Sequence, residues 1–199
     1  MKNTDTRIQI TRRLLKDSML KLLRDKNINS ITICELCDVA GLNRGTFYLH
    51  YDSPLALLKD IEREYLEKSK NLIISFFESD RETDTLCHLF QEFWQDREVF
   101  SLLIGPNGDP DFVEQNKSFM RERSLTEWKK EFPEYEEAEL DFMFDFLFHG
   151  HSGLLSNWLQ NDKGIPLEEF THRMERFGYY TLMAVRDFNS SMIRASEDE

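Results

Sequence analysis

An all-α chain is predicted, and three observations carry that expectation. Apolar residues recur at three- and four-residue intervals along nearly the whole length instead of alternating. Only 8 glycines and 5 prolines punctuate the 199 residues. The strong breakers are concentrated at Gly105-Pro106-Asn107-Gly108-Asp109-Pro110, at Pro133 and at Lys163-Gly164-Ile165-Pro166. With 40% hydrophobic and 31% charged residues the chain can bury a core and lacks the composition of a disordered protein. The expected division is a three-helix N-terminal domain over 1–52 and a larger helical domain over 53–199.

The first helix is expected at about 4–25, with Ile8, Ile10, Leu14, Leu15, Met19, Leu22 and Leu23 at helical spacing. The polar stretch 26–30 ends it. Thr32 is placed to cap a second helix, and Glu35 three residues on completes the capping-box pattern. That helix runs to Ala40, Gly41 supplies a turn, and Asn43 caps a third helix over 44–51. Ser53 and Pro54 open a fourth at 55–77, since proline in the first helical position forfeits no hydrogen bond. Further helices are predicted at 82–103, 111–131, 136–161 and 167–188, with the small, acidic tail 190–199 expected to fray.

Charge divides the chain unevenly. Residues 1–50 hold nine basic and five acidic side chains, a local +4, so the total of −12 leaves −16 to residues 51–199. A basic head on an acidic body can offer one face to a polyanion while the body discourages non-specific adhesion. No segment reaches the ~18–20 apolar residues of a membrane span, and the N-terminus does not resemble a signal peptide. No membrane partner and a cytoplasmic location are therefore expected. Three cysteines do not suggest a disulfide framework.

The run from Ile31 to Tyr51 has the layout of two short helices crossing at a tight turn, in which the second enters the DNA major groove and the first braces it. Ile33, Leu36, Cys37, Ala40, Leu42 and Phe47 can form its miniature core. Facing outward are Asn43, Arg44, Thr46, Tyr48 and His50. Arg44 can fork onto a guanine, Thr46 can meet a thymine methyl or a phosphate, and Tyr48 and His50 suit phosphate oxygens. Gly45 permits close approach to the backbone, and Thr32 stands at the helix end nearby. The candidate DNA-contacting set is thus Thr32, Asn43, Arg44, Gly45, Thr46, Tyr48 and His50, with a double-stranded operator as partner.

Val39-Ala40-Gly41-Leu42 at the turn, followed by Gly45-Thr46-Phe47-Tyr48-Leu49-His50-Tyr51, resembles the N-terminal domain of the tetracycline-repressor (TetR) family of bacterial regulators. That resemblance implies a homodimer on a palindromic operator, usually repressing, which releases DNA when a small-molecule effector fills the C-terminal domain. Two departures stand out. The family usually has Phe at the position of Tyr51, and a phosphate-binding Lys near the start of the fourth helix where this chain has Pro54; Lys59 lies more than a turn further on. The C-terminal body is also similar to the subgroup related to dihydroxyacetone-utilisation regulators, through Phe142–Leu155 and Leu102–Gly105. That subgroup implies an alternative role as a regulator acting through a protein partner.

In the C-terminal helices, Phe144, Leu147, His151, Leu154, Leu155, Trp158, Met174, Phe177, Thr181 and Val185 fall at spacings that suit either a four-helix interface with a second copy or simple internal core. A palindromic operator calls for two-fold symmetry, which favours the dimer. Among the many aromatic residues, His88, Trp94, Trp128 and His149 are candidates to line an effector pocket, the alternative being a filled core. Cys34 and Cys37 suit packing, with a redox switch as the other reading. His149 and His151 point away from each other on a helix, and no metal or cofactor is expected. With no nucleophile–base pair, phosphate loop or paired catalytic carboxylates in view, no enzyme activity is expected.

Overall fold

A computed structural model of the protein describes residues 2–78, 90–160 and 164–197, with side chains at 6–78, 90–160 and 164–184; His88, Cys87 and the Val185 side chain fall outside. No strand occurs among the described residues. The helices are α1 (Lys2–Leu23), α2 (Ile33–Ala40), α3 (Arg44–Tyr48), α4 (Pro54–Glu78), α5 (Arg97–Leu103), α6 (Pro110–Glu131), α7 (Glu137–Gln160) and α8 (Leu167–Glu197), with a 3-10 turn at Ile28–Ser30 and a helical stretch at 90–95.

Three boundaries differ from expectation. The third helix stops at Tyr48 because its last turn tightens: the His50 N–H bonds Phe47 O three residues back, and the Tyr51 N–H shares that carbonyl. The helix expected at 82–103 is interrupted at Asp96, whose φ of −102° and ψ of 24° lie outside helical geometry. The C-terminal stretch expected to fray from Ser190 stays helical to Glu197, with no glycine or proline to stop it.

The chain forms two compact units, one of residues 1–71 with 96–118 and the other of 72–95 with 119–199. The first packs the α1 stripe Leu15, Met19 and Leu23 with Leu36, Phe47, Leu57, Leu58 and Ile61, all buried. The apolar positions nearer the N-terminus, Ile8, Ile10 and Leu14, stay exposed instead of joining that stripe. The Tyr51 hydroxyl donates to Asp60 Oδ2 at 2.8 Å and accepts from Arg12 Nε at 3.2 Å. Arg12 Nη2 and Lys16 Nζ reach the same carboxylate at 3.0 and 2.9 Å. Burial alone would raise the Asp60 carboxyl, but hydrogen bonds from Lys16 and Tyr51 and the two cations hold it below the usual range. The hydroxyl that distinguishes Tyr51 from phenylalanine thus joins a buried network linking α1, the end of the α3 segment and α4.

In the second unit, Trp128, Phe132, Tyr135, Leu140, Met143 and Phe144 form one buried cluster. Trp158 stacks on Phe170 at 4.3 Å and 5°, lies 4.3 Å from Trp94, and donates its Nε1–H to Ile165 O. This stack closes the turn between α7 and α8, where Gly164 takes a left-handed φ of 68°. His151 ties the same two helices through Leu147 O and Met174 O.

Candidate nucleic-acid interface

The α2–turn–α3 unit is shaped by local hydrogen bonds that the sequence encodes directly. Thr32 Oγ1 accepts from Glu35 N while the Glu35 carboxylate accepts from Thr32 N and its hydroxyl, so two orphan donors at the start of α2 are satisfied reciprocally. Gly41 ends α2 at φ 68°, a left-handed conformation that costs glycine nothing. Asn43 then caps α3, its Oδ1 accepting from Thr46 N at 2.8 Å and Thr46 Oγ1 at 3.0 Å. A Cβ on Gly45 would lie 3.3 Å from that same Oδ1 and crowd the cap. Leu36, Cys37 and Phe47 are buried beneath, while Ile33, Ala40 and Leu42 are half-buried.

The candidate residues have different work. Thr32, Asn43 and Thr46 build the caps that aim α3, and Arg44 and Tyr48 stand exposed on its outer face. The neighbouring Cys34 thiol raises the already high pKa of the Arg44 guanidinium. Tyr48 stands edge-on to Phe47 at 5.9 Å, and His50 is half-buried beside Tyr51. Leu49 was not among the candidates, yet it is 81% exposed at the end of α3. Its only sequence signal is an apolar residue inside the outward arc Tyr48–His50.

Glu35 also receives Lys26, and these hydrogen bonds, from Lys26 first and Thr32 second, hold its carboxyl at about 2 instead of 4.5. A depressed carboxyl contributes stability that is present above its unfolded value and lost as pH falls through the folded one. Glu35→Ala is expected to melt below the wild type near neutral pH, with the gap closing as pH drops from 4.5 to about 2; circular dichroism melts across that range measure it. Burial pushes the Cys37 thiol up, in keeping with its place between helices.

Lys59, more than a turn beyond Pro54, is engaged by carboxylates. Its ammonium lies 2.8 Å from Asp109, 3.1 Å from Glu62 and 3.5 Å from Asp111, and these contacts hold its pKa above the usual lysine value.

The candidate pocket residues are not gathered. Trp94 belongs to the Trp158 stack, Trp128 to the buried cluster, and His149 is exposed with Nδ1 on Asp145 O. His88 lies outside the described residues. Among the described residues no group of three His, Cys, Asp or Glu side chains is placed to hold a metal, and no helix is long and apolar enough to cross a membrane.

The set proposed for dimerisation also divides. Phe144, Trp158 and Met174 are buried within their own unit and have no surface left for a second copy, and Leu147, His151, Leu155 and Thr181 are half-buried. Leu154 and Phe177 are exposed, joined by Phe142 at 77% and by Phe146 and Tyr180. Gly150 and Gly153 open onto empty space on the same helix, whereas Gly178 seats His151.

Residues 80–178 match the family model described as the C-terminal region of TetR-type transcriptional regulators. An uncharacterised helix-turn-helix transcriptional regulator of Bacillus subtilis, YxbF, is 32% identical over 53 residues, which are 27% of this chain and 14% of that protein, so the match spans far less than two thirds of the relative's length. A TetR transcriptional regulator of Streptococcus agalactiae superposes with a TM-score of 0.63 at 22% identity, covering 88% of this chain and 97% of that one. SmeT, solved as a complex with triclosan, superposes with a TM-score of 0.64 at 14% identity over 87% and 90% of the two chains. With the motif of residues 31–51 and the all-helical fold, these findings place the chain in the TetR family of transcriptional regulators.

Proposed function

We propose that the protein is a homodimeric repressor that binds a palindromic operator through α3 and is released by a small-molecule effector. The observation that carries this reading is the capped, outward face of α3, where Arg44 and Tyr48 are exposed on a helix held from behind by buried Phe47. A helix of this kind presents its N-terminal residues to base edges while neighbouring groups take phosphates. The local +4 of residues 1–50 supplies the charge for that contact. The effector part of the reading is supported by SmeT, a fold relative solved with triclosan. An effector releases DNA only if it binds the DNA-incompetent state more tightly.

The dimer would use the outer faces of α7 and α8, where Phe142, Phe146, Leu154, Phe177 and Tyr180 leave an apolar surface and Gly150 and Gly153 permit close helix approach. Phe177 is 57% exposed, so Phe177→Asp is expected to leave the fold intact and produce monomers in sedimentation velocity. Operator affinity should then fall about tenfold or more, since one half-site contributes alone. An unchanged dimer would remove this face from the interface.

Salt-dependent binding to a palindrome upstream of its own gene tests the function as a whole. Retention of no duplex together with stable co-purification of another protein would support a regulator acting through a protein partner instead.

A further inference from the structure

The operator reading leaves one side chain at the end of α3 without a role. Leu49 continues the helical backbone one residue past α3, at φ −70° and ψ −15°, with its N–H on Gly45 O at 3.3 Å. Buried Phe47 precedes it and buried Tyr51 follows, the latter bonding back to Phe47 O at 3.0 Å. The segment is therefore held on both sides, yet the Leu49 side chain stays 81% exposed and the core of the head is complete without it. A single exposed leucine is ordinary on a protein surface, and exposure alone assigns nothing. The neighbours of this one on the helix give it a use.

Residues three and four apart share a helix face, which places Leu49 beside Thr46 and Gly45. Side chains on a helix lean toward its N-terminus, so Leu49 lies over the turn that holds those two. Gly45 has no side chain to cover that turn, and a Cβ there would crowd Asn43 Oδ1 at 3.3 Å. Thr46 gives both its backbone N–H and its hydroxyl hydrogen to the same Oδ1, at 2.8 and 3.0 Å. While that cap holds, Thr46 has no donor left for a phosphate, and its remaining apolar group is a methyl. Beside exposed Arg44 and Tyr48 there is thus a strip of bare Cα, methyl and isobutyl groups. Because α3 has only 5 residues, Leu49 stands about 6 Å along the axis from Gly45, one turn from the end of the helix that meets base edges.

We infer that Leu49 is a specificity-determining residue that reads the C5-methyl group of a thymine in each half-site. The inference rests on the operator-binding reading above. In the major groove thymine alone among the four bases presents a methyl group, and an apolar side chain distinguishes it by contact. Leu49 has no hydrogen-bonding group, so it gains nothing from a phosphate oxygen or from the donor and acceptor edges of the other bases. Covering a methyl, in contrast, removes apolar surface of both partners from water. The local +4 of residues 1–50 favours DNA over an apolar protein surface as the occupant of this strip, since only a polyanion gains from that charge. Arg44 and Leu49 then divide the reading of the half-site, one by hydrogen bonds and the other by apolar contact.

The test takes a duplex recovered by the wild type from a random pool and replaces thymidine by deoxyuridine, which pairs identically and lacks only the methyl. Positions are replaced one at a time, in both half-sites together. Wild type, Leu49→Ala and Leu49→Met are titrated on each duplex by fluorescence anisotropy at one salt concentration, with thermal melts alongside. At one symmetric pair of thymines the wild type is expected to lose about tenfold, the scale of two methyl groups left uncovered, and Leu49→Ala less than about twofold. Leu49→Met keeps an apolar side chain of similar volume and is expected to retain the discrimination. All three proteins should melt at about the same temperature, since the side chain lies outside the core. Equal deoxyuridine losses for wild type and Leu49→Ala at every thymine, or half-sites recovered without thymine, overturn the inference and leave the operator reading standing. Failure of the wild type to recover any duplex overturns the operator reading itself, and the role of Leu49 with it.

Discussion

Arg44→Ala is expected to weaken operator binding by about 1–3 kcal/mol, roughly ten- to a hundredfold, while leaving the melting temperature close to that of the wild type. The two readouts separate because the Arg44 side chain is exposed. Removing it opens no cavity, and the caps of α2 and α3 rest on Thr32, Glu35, Asn43 and Thr46, all unaffected. The loss should be specific to the cognate duplex, since a bidentate guanidinium discriminates one base from another and non-specific binding draws on the summed phosphate contacts. Titrating cognate and scrambled duplexes at the same salt concentration measures the difference. Equal losses on both would reassign Arg44 to the phosphate backbone.

Phe47→Ala acts on the same helix by the opposite route. Phe47 is 0% exposed, lies between Tyr48 and Tyr51 at ring distances of 5.9 and 6.1 Å, and is the largest side chain at the centre of the head. Truncating a buried phenylalanine costs about 3–5 kcal/mol, the lost transfer energy plus the cavity. Against a total stability of about 5–15 kcal/mol for a domain, that is enough to melt or loosen the helix-turn-helix. The expected result is a large fall in melting temperature, with operator binding lost on cognate and scrambled duplexes alike. Denaturant titration followed by circular dichroism checks it; a loss of affinity without a loss of stability would contradict the role given to Phe47.

What the sequence made legible is what short-range hydrogen bonding and periodicity determine. The caps at Thr32 and Asn43, the left-handed turn at Gly41 and the buried positions Leu36, Cys37 and Phe47 all depend on residues within a few positions of one another. The length of α3 was not legible, because nothing in Leu49-His50-Tyr51 marks where the backbone leaves the helix. Periodicity also could not rank the apolar residues of α1, where only Leu15, Met19 and Leu23 meet the core and Ile8, Ile10 and Leu14 do not. On α7 and α8 a three- and four-residue spacing identifies apolar positions but not which neighbour covers them; Phe144 and Trp158 turn inward while Phe142 and Phe146 turn outward. Contacts across long stretches of chain were out of reach altogether. The Asn107 link to Leu23 spans 84 residues, and the carboxylates that engage Lys59 include two that lie about fifty residues away. The hydroxyl of Tyr51 was visible only as a departure from phenylalanine, and its use became apparent once Asp60 and Arg12 were found on either side.

The central claim, that α3 reads an operator base by base, is tested most directly by selecting duplexes from one random pool with the wild type and with Arg44→Ala in parallel. A two-fold symmetric sequence is expected for the wild type, and for the variant the same symmetry and spacing with one position in each half-site no longer specified. Identical sequences from both proteins, or no enrichment by the wild type, would contradict it.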